Sequence, residues 1–245
     1  MSHVSTAVIM AGGRGTRLLP VTESTPKALV SIQSRPLLEW IIRWLARNGV
    51  SNIVIGVAFE KEKIIDRFKD GEQLGVQIKY SNHSVEGGTA EGFRLAIERH
   101  VSDDVFLAMN GDELTDIKLD SLIKIHLQSG ALATVSISAL RSPFGVVRLD
   151  SEDHITGFDE KISIPGVFVS MGVYVFRRQI LQYIPPKGDI ERTTFPTLSR
   201  MGKLQAYRHN GFWATVNNLK ELQQAEETIQ HIFPFEANSL NPHHT

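Results

Sequence analysis

The chain has 245 residues, 26 Lys and Arg against 27 Asp and Glu for a formal net charge of -1, and no cysteine. That balance excludes a broad basic surface and with it a general nucleic-acid coat, so any anionic ligand must be met by a local cluster of charge. The lack of cysteine excludes disulfides, thiolate metal sites and a cysteine nucleophile, and the length suffices for one large core without staples.

Strand and helix signals alternate through the first two thirds. Thr6 to Met10 reads as a short buried strand that ends in glycines. Its apolar run has no basic segment before it and is too short for a signal peptide, and no stretch approaches the roughly 20 apolar residues of a spanning helix. A soluble, cytoplasmic protein with no membrane partner is expected. Leu37, Leu38, Ile41, Ile42 and Leu45 repeat at helical spacing after Pro36, at a plausible first helical position, and Asn48-Gly49 closes that helix. A strand over 52–57, a helix over 61–68, a strand over 77–80, a helix over 89–100 and a strand over 105–109 follow. The polar turn Asn110-Gly111-Asp112 comes next, then a helix over 119–128 and a strand over 132–139. This order predicts an α/β fold with a mostly parallel central sheet covered by helices on both faces.

After Ala139 the rhythm changes. Residues 145–149, 155–158 and 167–176 are strand candidates with short turns between them, which predicts extra antiparallel strands in the second half. Segments 179–184 and 191–199 read as helical, 204–207 and 212–216 as strands, and 219–232 as a last helix. No internal repeat or linker divides the chain. One domain over 1–235 is expected, its character changing at about residue 139, with 236–245 as a flexible tail. The tail's His243 and His244 are expected to lie in a frayed terminus, with adventitious metal binding as the alternative.

The strongest local feature is Ala11-Gly12-Gly13-Arg14-Gly15-Thr16-Arg17-Leu18, directly after the first strand. Glycines let backbone N–H groups approach an anion, and guanidinium groups suit phosphate oxygens. Residues 11 to 35 hold Arg14, Arg17, Lys27 and Arg35 against Glu23 alone, so charge is locally polarised in a neutral chain. Neither a dinucleotide fingerprint nor a P-loop fits, because Leu18 stands where the third glycine belongs and no G-K-[ST] is present. The local alternative is an ordinary glycine-rich tight turn.

This loop, continued by Leu19-Pro20-Val21-Thr22 and then Pro26-Lys27, resembles the signature of the sugar-1-phosphate nucleotidylyltransferases. The resemblance runs from residue 6 to about 230 and implies a nucleotide-binding part over 1–139 and a sugar-phosphate-binding part over 140–235. It implies a Rossmann-like nucleotidyltransferase fold and a reaction that joins an NTP to a sugar 1-phosphate with release of pyrophosphate. It implies further that Ala11, Gly12, Gly13, Arg14, Gly15 and Thr16 bind the nucleotide. Arg17 holds the triphosphate, and Lys27 contacts phosphate near the reacting centre. Asp112 matches the aspartate that binds Mg²⁺, a hard cation that prefers oxygen ligands; on local grounds alone the segment is also an ordinary Asn-Gly-Asp turn. Glu113 and Asp116 read as solvated or capping residues.

Gly88 and Thr89 match the segment whose backbone meets the nucleobase, with His83 a weak candidate for reading the base edge. A plain helix N-terminus with Thr89 near the cap is equally compatible. Glu160-Lys161 resembles a Glu-Lys-Pro motif with Ile162 for proline. There the glutamate bonds sugar hydroxyls and the lysine binds the sugar phosphate; Gly145 matches a glycine lying against the sugar. The alternative is a solvated pair. Ser170 stands where that family usually has an asparagine.

The family completes its metal site with a late aspartate. This chain has Thr215 at the commoner position and Asn217 at the position used by glucose-1-phosphate cytidylyltransferases, which the segments around Gly188-Asp189 and Phe212-Trp213 also resemble. Asn217 can offer only a neutral carbonyl to a metal. The resemblance leaves the base open among guanine, cytosine, uracil and thymine. It implies Mg²⁺, NTP and sugar 1-phosphate as ligands, and it brings a homo-oligomer into consideration. A regulatory protein that binds nucleotide sugars on the same fold is the alternative function, and a glycosyltransferase is a further one, disfavoured because Asn110-Gly111-Asp112 lacks an Asp-x-Asp.

Overall fold

The computed structural model describes residues 4–233. The expected tail, 236–245, lies outside the described residues. Strand β1 (Thr6–Met10) pairs in parallel with both β4 (Asn52–Val57) and β6 (Val105–Asn110), and β4 pairs in parallel with β5 (Gln77–Asn82). The seven-stranded sheet has the order β12-β8-β11-β6-β1-β4-β5, where β8 is Ala133–Arg141, β11 is Ser163–Arg177 and β12 is Leu204–Arg208. Only β11 runs against its neighbours β6 and β8.

Period-two alternation within β1 sends Ala7 and Ile9 to one face and Val8 to the other. The first face is covered by α1 (Leu37–Arg47), α2 (Lys61–Phe68), α4 (Leu119–Ser129) and α6 (Leu219–Ile232). The second is covered by α3 (Gly88–His100) and α5 (Thr194–Arg200), which pack on the ring cluster Phe93, Tyr174, Phe176 and Phe195. The apolar stripe of α1 is fully buried at Leu37, Leu38, Ile42 and Leu45, each burial contributing about 1.5–3 kcal/mol. Pro36 precedes the helix rather than opening it, and the helix ends where the Asn48 side chain donates to the Trp44 carbonyl at 2.8 Å.

The pairing of β2 (Ser31–Ile32) with β3 (Arg35–Pro36) has no periodic signal, nor does β7 (Glu113–Thr115), which pairs with β13 (Trp213–Thr215), a strand inside the segment expected over 212–216. The segment expected to be helical from Glu191 becomes so only at Thr194; before it the chain turns, with the Asp189 carbonyl accepting from Arg192 N at 3.0 Å and Thr193 N at 3.1 Å. Residues 178–183 form a 3-10 turn. The expected antiparallel addition is a two-stranded ribbon, β9 (Gly145–Leu149) with β10 (Ile155–Glu160), which stands apart from the main sheet.

The chain leaves β1 for β4 and β5 on one side, then crosses back to β6 on the other. The strand order therefore reverses between β1 and β6. In open parallel sheets a crevice forms outside the carboxyl ends of the strands at such a point, and the loops after β1 and β6 meet there.

Candidate nucleotide site

The loop after β1 is fixed by its own sequence. Gly15 takes a left-handed conformation (φ 66°), where an added Cβ would meet Lys27 and Thr22 at 3.0 and 3.1 Å. Its carbonyl accepts a bond from Thr22 Oγ1 at 2.8 Å, and Leu18 anchors the loop in the core. Gly111 N–H donates to the Met10 carbonyl at 2.8 Å, so the loop after β6 is tied to the end of β1. Between them lies a cavity of about 370 Å³, within the range of small-molecule sites.

Ala11, Gly12, Gly13, Gly15, Thr16, Arg17 and Lys27 line this cavity, as do Gly88, Thr89, Asp112 and Asn217. The structure thus gathers most of the residues chosen from sequence, from segments as far apart as Ala11 and Asn217. Arg14 is not among the lining residues; it is exposed and lies over the Phe59 ring at 5.2 Å. Thr89 is no helix cap: its hydroxyl donates to Glu191 Oε2 at 2.8 Å and accepts from Ile190 N at 3.0 Å. Gly145 and Glu160 face each other across the ribbon. Lys161, at the ribbon's end with φ 53°, lines a separate cleft with Arg141 and Lys220 against α6. Gly145, Glu160 and Lys161 are therefore brought together with one another, but do not line this cavity.

Lys27 is the electrostatic centre. Its ammonium donates to Asp112 Oδ2 at 2.5 Å and to Asn217 Oδ1 at 2.7 Å. Arg17 adds a long contact to the same Asn217 oxygen at 3.4 Å. The Asn217 carboxamide is held by Thr215, whose Oγ1 accepts from Asn217 Nδ2 at 2.6 Å. It is also set by the start of α6: Asn217 N donates to Glu221 Oε2 at 2.7 Å, and Asn218 caps the helix by accepting from Glu221 N at 3.0 Å.

Glu113 is a correction to the sequence reading. It is buried, not solvated, and accepts a 2.7 Å bond from Trp213 Nε1. Burial, and then the Asp112 charge beside it, push its carboxyl well above the usual range. Asp116 is exposed, as expected, and caps no helix: it accepts from Phe212 N at 2.8 Å and faces His209 Nε2 at 2.8 Å.

Asp112 and Asn217 supply oxygen donors of the kind Mg²⁺ takes, but only one carries charge and both are engaged by Lys27. Among the described residues no group of three or more His, Asp or Glu side chains could hold a metal. The donor set fits Mg²⁺ only together with phosphate oxygens, which is how that ion commonly binds. Two further lining residues, Asn110 and Asp189, escaped the sequence reading of the site. Asn110 ends an apolar strand and could have been found there. Asp189 lies 77 residues beyond Asp112 with no motif of its own that points to a site.

No helix among the described residues is long and apolar enough to cross a membrane. The chain is 31% identical over 239 residues to a UTP–glucose-1-phosphate uridylyltransferase of Synechocystis sp., covering 89% of this chain and 62% of that protein. It is 31% identical over 219 residues to a mannose-1-phosphate guanylyltransferase of Mycobacterium tuberculosis, covering 86% and 61%. It thus spans about three fifths of the length of these curated relatives. The structure is similar to that of HddC from Yersinia pseudotuberculosis, with a TM-score of 0.74 and 22% identity over 92% of this chain and 100% of that one, which shows the fold. Neither curated relative is named a cytidylyltransferase. The nucleotidyl transferase family model matches residues 6–232, so the chain belongs to the nucleotidyl transferase family.

Proposed function

We propose that this protein transfers a nucleoside monophosphate from an NTP to a sugar 1-phosphate, forming a nucleotide sugar and pyrophosphate. The observation that carries this reading is the convergence of the glycine loop, Arg17, Lys27 and Asp112 on one cavity at the switch point of the sheet. The uridylyl- and guanylyltransferase names of the relatives agree with it. In this reading residues up to about 139 build most of the nucleotide site, and the ribbon after them carries the sugar phosphate.

A phosphate oxygen of the sugar phosphate attacks the α-phosphorus, and pyrophosphate leaves in line. The attacking oxygen is already ionised near neutral pH, so no general base is required. Both partners are anions, and the site must supply position and positive charge. The loop's N–H groups orient the triphosphate. Lys27, whose side chain is only 14% exposed, presents a largely desolvated ammonium to it, and Arg17 adds a second cation. Asp112 and the Asn217 carbonyl would hold Mg²⁺ jointly with the phosphates, where the ion would offset charge on the departing pyrophosphate. Lys161, with Glu160 and Gly145, would hold the sugar phosphate.

A regulatory role in binding nucleotide sugars is the second reading, favoured by Thr215 and Asn217, which replace a metal-binding carboxylate. One experiment separates them. Each of four NTPs is incubated with Mg²⁺ and a panel of sugar 1-phosphates, and pyrophosphate is measured. Release with a defined pair, lowered by orders of magnitude in Asp112→Asn, is expected. Nucleotide binding without release from any pair would replace transfer by the regulatory reading.

A further inference from the structure

A nucleotide cavity that must accept a triphosphate has in its wall, besides the Lys27-paired Asp112, a second carboxylate, and this calls for a reason. Asp189 lines the cavity. Its position is fixed by a set of bonds to the start of α3: Gly188 N donates to the Gly87 carbonyl at 2.9 Å, Ala90 N to the Gly188 carbonyl at 2.8 Å, and Ile190 N to Thr89 Oγ1 at 3.0 Å. The carboxylate lies so close to Gly88 that a Cβ built there would stand 2.8 Å from Oδ1. Gly88 has φ 68°, so it leaves its backbone bare at this wall. The Asp189 carbonyl is used by Arg192 N, Thr193 N and Thr193 Oγ1. Its side chain has one ion contact, to the highly exposed Arg192 at 3.8 Å.

A carboxylate here repels phosphate, while Arg17 and Lys27 attract it. The cavity is therefore polarised, and it orients a nucleotide with its phosphates at the β1 loop and its neutral end at Asp189. That end must bring N–H or O–H donors. Val85 and the bare Gly88 backbone beside Asp189 suit the flat face of a base.

We infer that Asp189 reads the nucleobase and that the base it selects is guanine; this rests on the transfer reading above and names its nucleotide. Guanine presents two adjacent donors, N1–H and the 2-amino group, which match the two oxygens of one carboxylate. Uracil and thymine offer one N3–H flanked by two carbonyls, which a carboxylate repels. Cytosine and adenine place a ring acceptor beside their amino donor. Hypoxanthine keeps N1–H without the amino group, and xanthine replaces that group by a carbonyl.

The test is calorimetric binding of GTP, ITP, XTP, UTP, CTP and dTTP, with Mg²⁺ and without sugar phosphate, to the wild type and to Asp189→Asn. The wild type is expected to bind GTP roughly tenfold or more tighter than UTP, CTP, dTTP and XTP, with ITP between, since hydrogen bonds to a charged group are the stronger class. Asp189→Asn keeps the backbone bonds of this segment and offers one acceptor and one donor. It is expected to lose the GTP preference and to gain affinity for XTP and UTP, whose N–H beside a carbonyl matches that acceptor and donor. Equal wild-type affinity for GTP and UTP overturns the assignment, whether or not the variant folds. An equal loss for all six nucleotides in the variant also overturns it, by placing Asp189 on the ribose. If no triphosphate binds the wild type, the transfer reading falls as well.

Discussion

Lys27→Met removes the ammonium and keeps most of the apolar stem. In the structure that ammonium occupies the point where the Asp112 and Asn217 oxygens converge, at 2.5 and 2.7 Å. Two opposite effects follow. The triphosphate loses one charge-assisted contact of about 1.5–3 kcal/mol, so its Kd is expected to rise by about 10- to 150-fold. Asp112, freed of its partner, becomes a better seat for a bare divalent cation. Unit charges about 4 Å apart near a protein surface interact by about 4 kcal/mol. Partial exposure of Asp112, at 23%, reduces that figure, and a gain of about tenfold in Mn²⁺ affinity without nucleotide remains. Free Mn²⁺ is counted by electron paramagnetic resonance and nucleotide binding by calorimetry. If Mn²⁺ affinity does not rise while nucleotide affinity falls, Lys27 does not hold the shared position described above, and its proposed role is refuted.

Three other perturbations probe separate parts of the structure. Gly15→Ala places a side chain at φ 66° against Lys27 and Thr22; a loss of about 1–2 kcal/mol in denaturant-measured stability is expected, with weaker NTP binding, and unchanged binding would show that the loop tolerates a shift. Lys161→Ala is expected to raise KM for sugar 1-phosphate by about tenfold while NTP affinity stays within about twofold; a parallel loss of both would remove Lys161 from the sugar-phosphate site. His126 is fully buried, bonded through Nδ1 to Thr134 Oγ1 at 2.9 Å, and burial lowers its pKa to about 4. The unfolded chain takes up this proton near pH 6.5 and the folded one only near 4, so stability present above about pH 6.5 is lost as pH falls. Between pH 7 and 5 the loss is about 2 kcal/mol. Urea unfolding of His126→Gln should show a shallower decline over that interval, and an unaltered slope would assign the acid sensitivity elsewhere.

Periodicity carried the elements that bury one face. β1, β4, α2, β9 and α6 have the bounds expected from their apolar spacing. The β2–β3 hairpin did not show, because two-residue arms contain no period. Glu113 was misread because its burial comes from Trp213, 100 residues away, through a strand pairing that no local pattern marks. The site divides in the same way. Gly12, Arg17, Lys27 and Asp112 were legible because each belongs to a compact motif at the end of a strand or within a glycine loop. Asp189 reaches the cavity only because its segment is stitched to Gly87–Thr89, and Lys161 sits on a ribbon whose placement depends on how β11 leaves the sheet. Both depend on tertiary contacts rather than on spacing.

The most direct measurement is a ³¹P NMR time course of the protein with GTP, Mg²⁺ and a set of sugar 1-phosphates. Transfer predicts the coupled resonances of a diphosphate ester growing in step with pyrophosphate, one to one, at the expense of the triphosphate and one sugar phosphate. A spectrum in which the nucleotide binds and stays intact with GTP and with every other NTP, or breaks down only to diphosphate and inorganic phosphate, would contradict it.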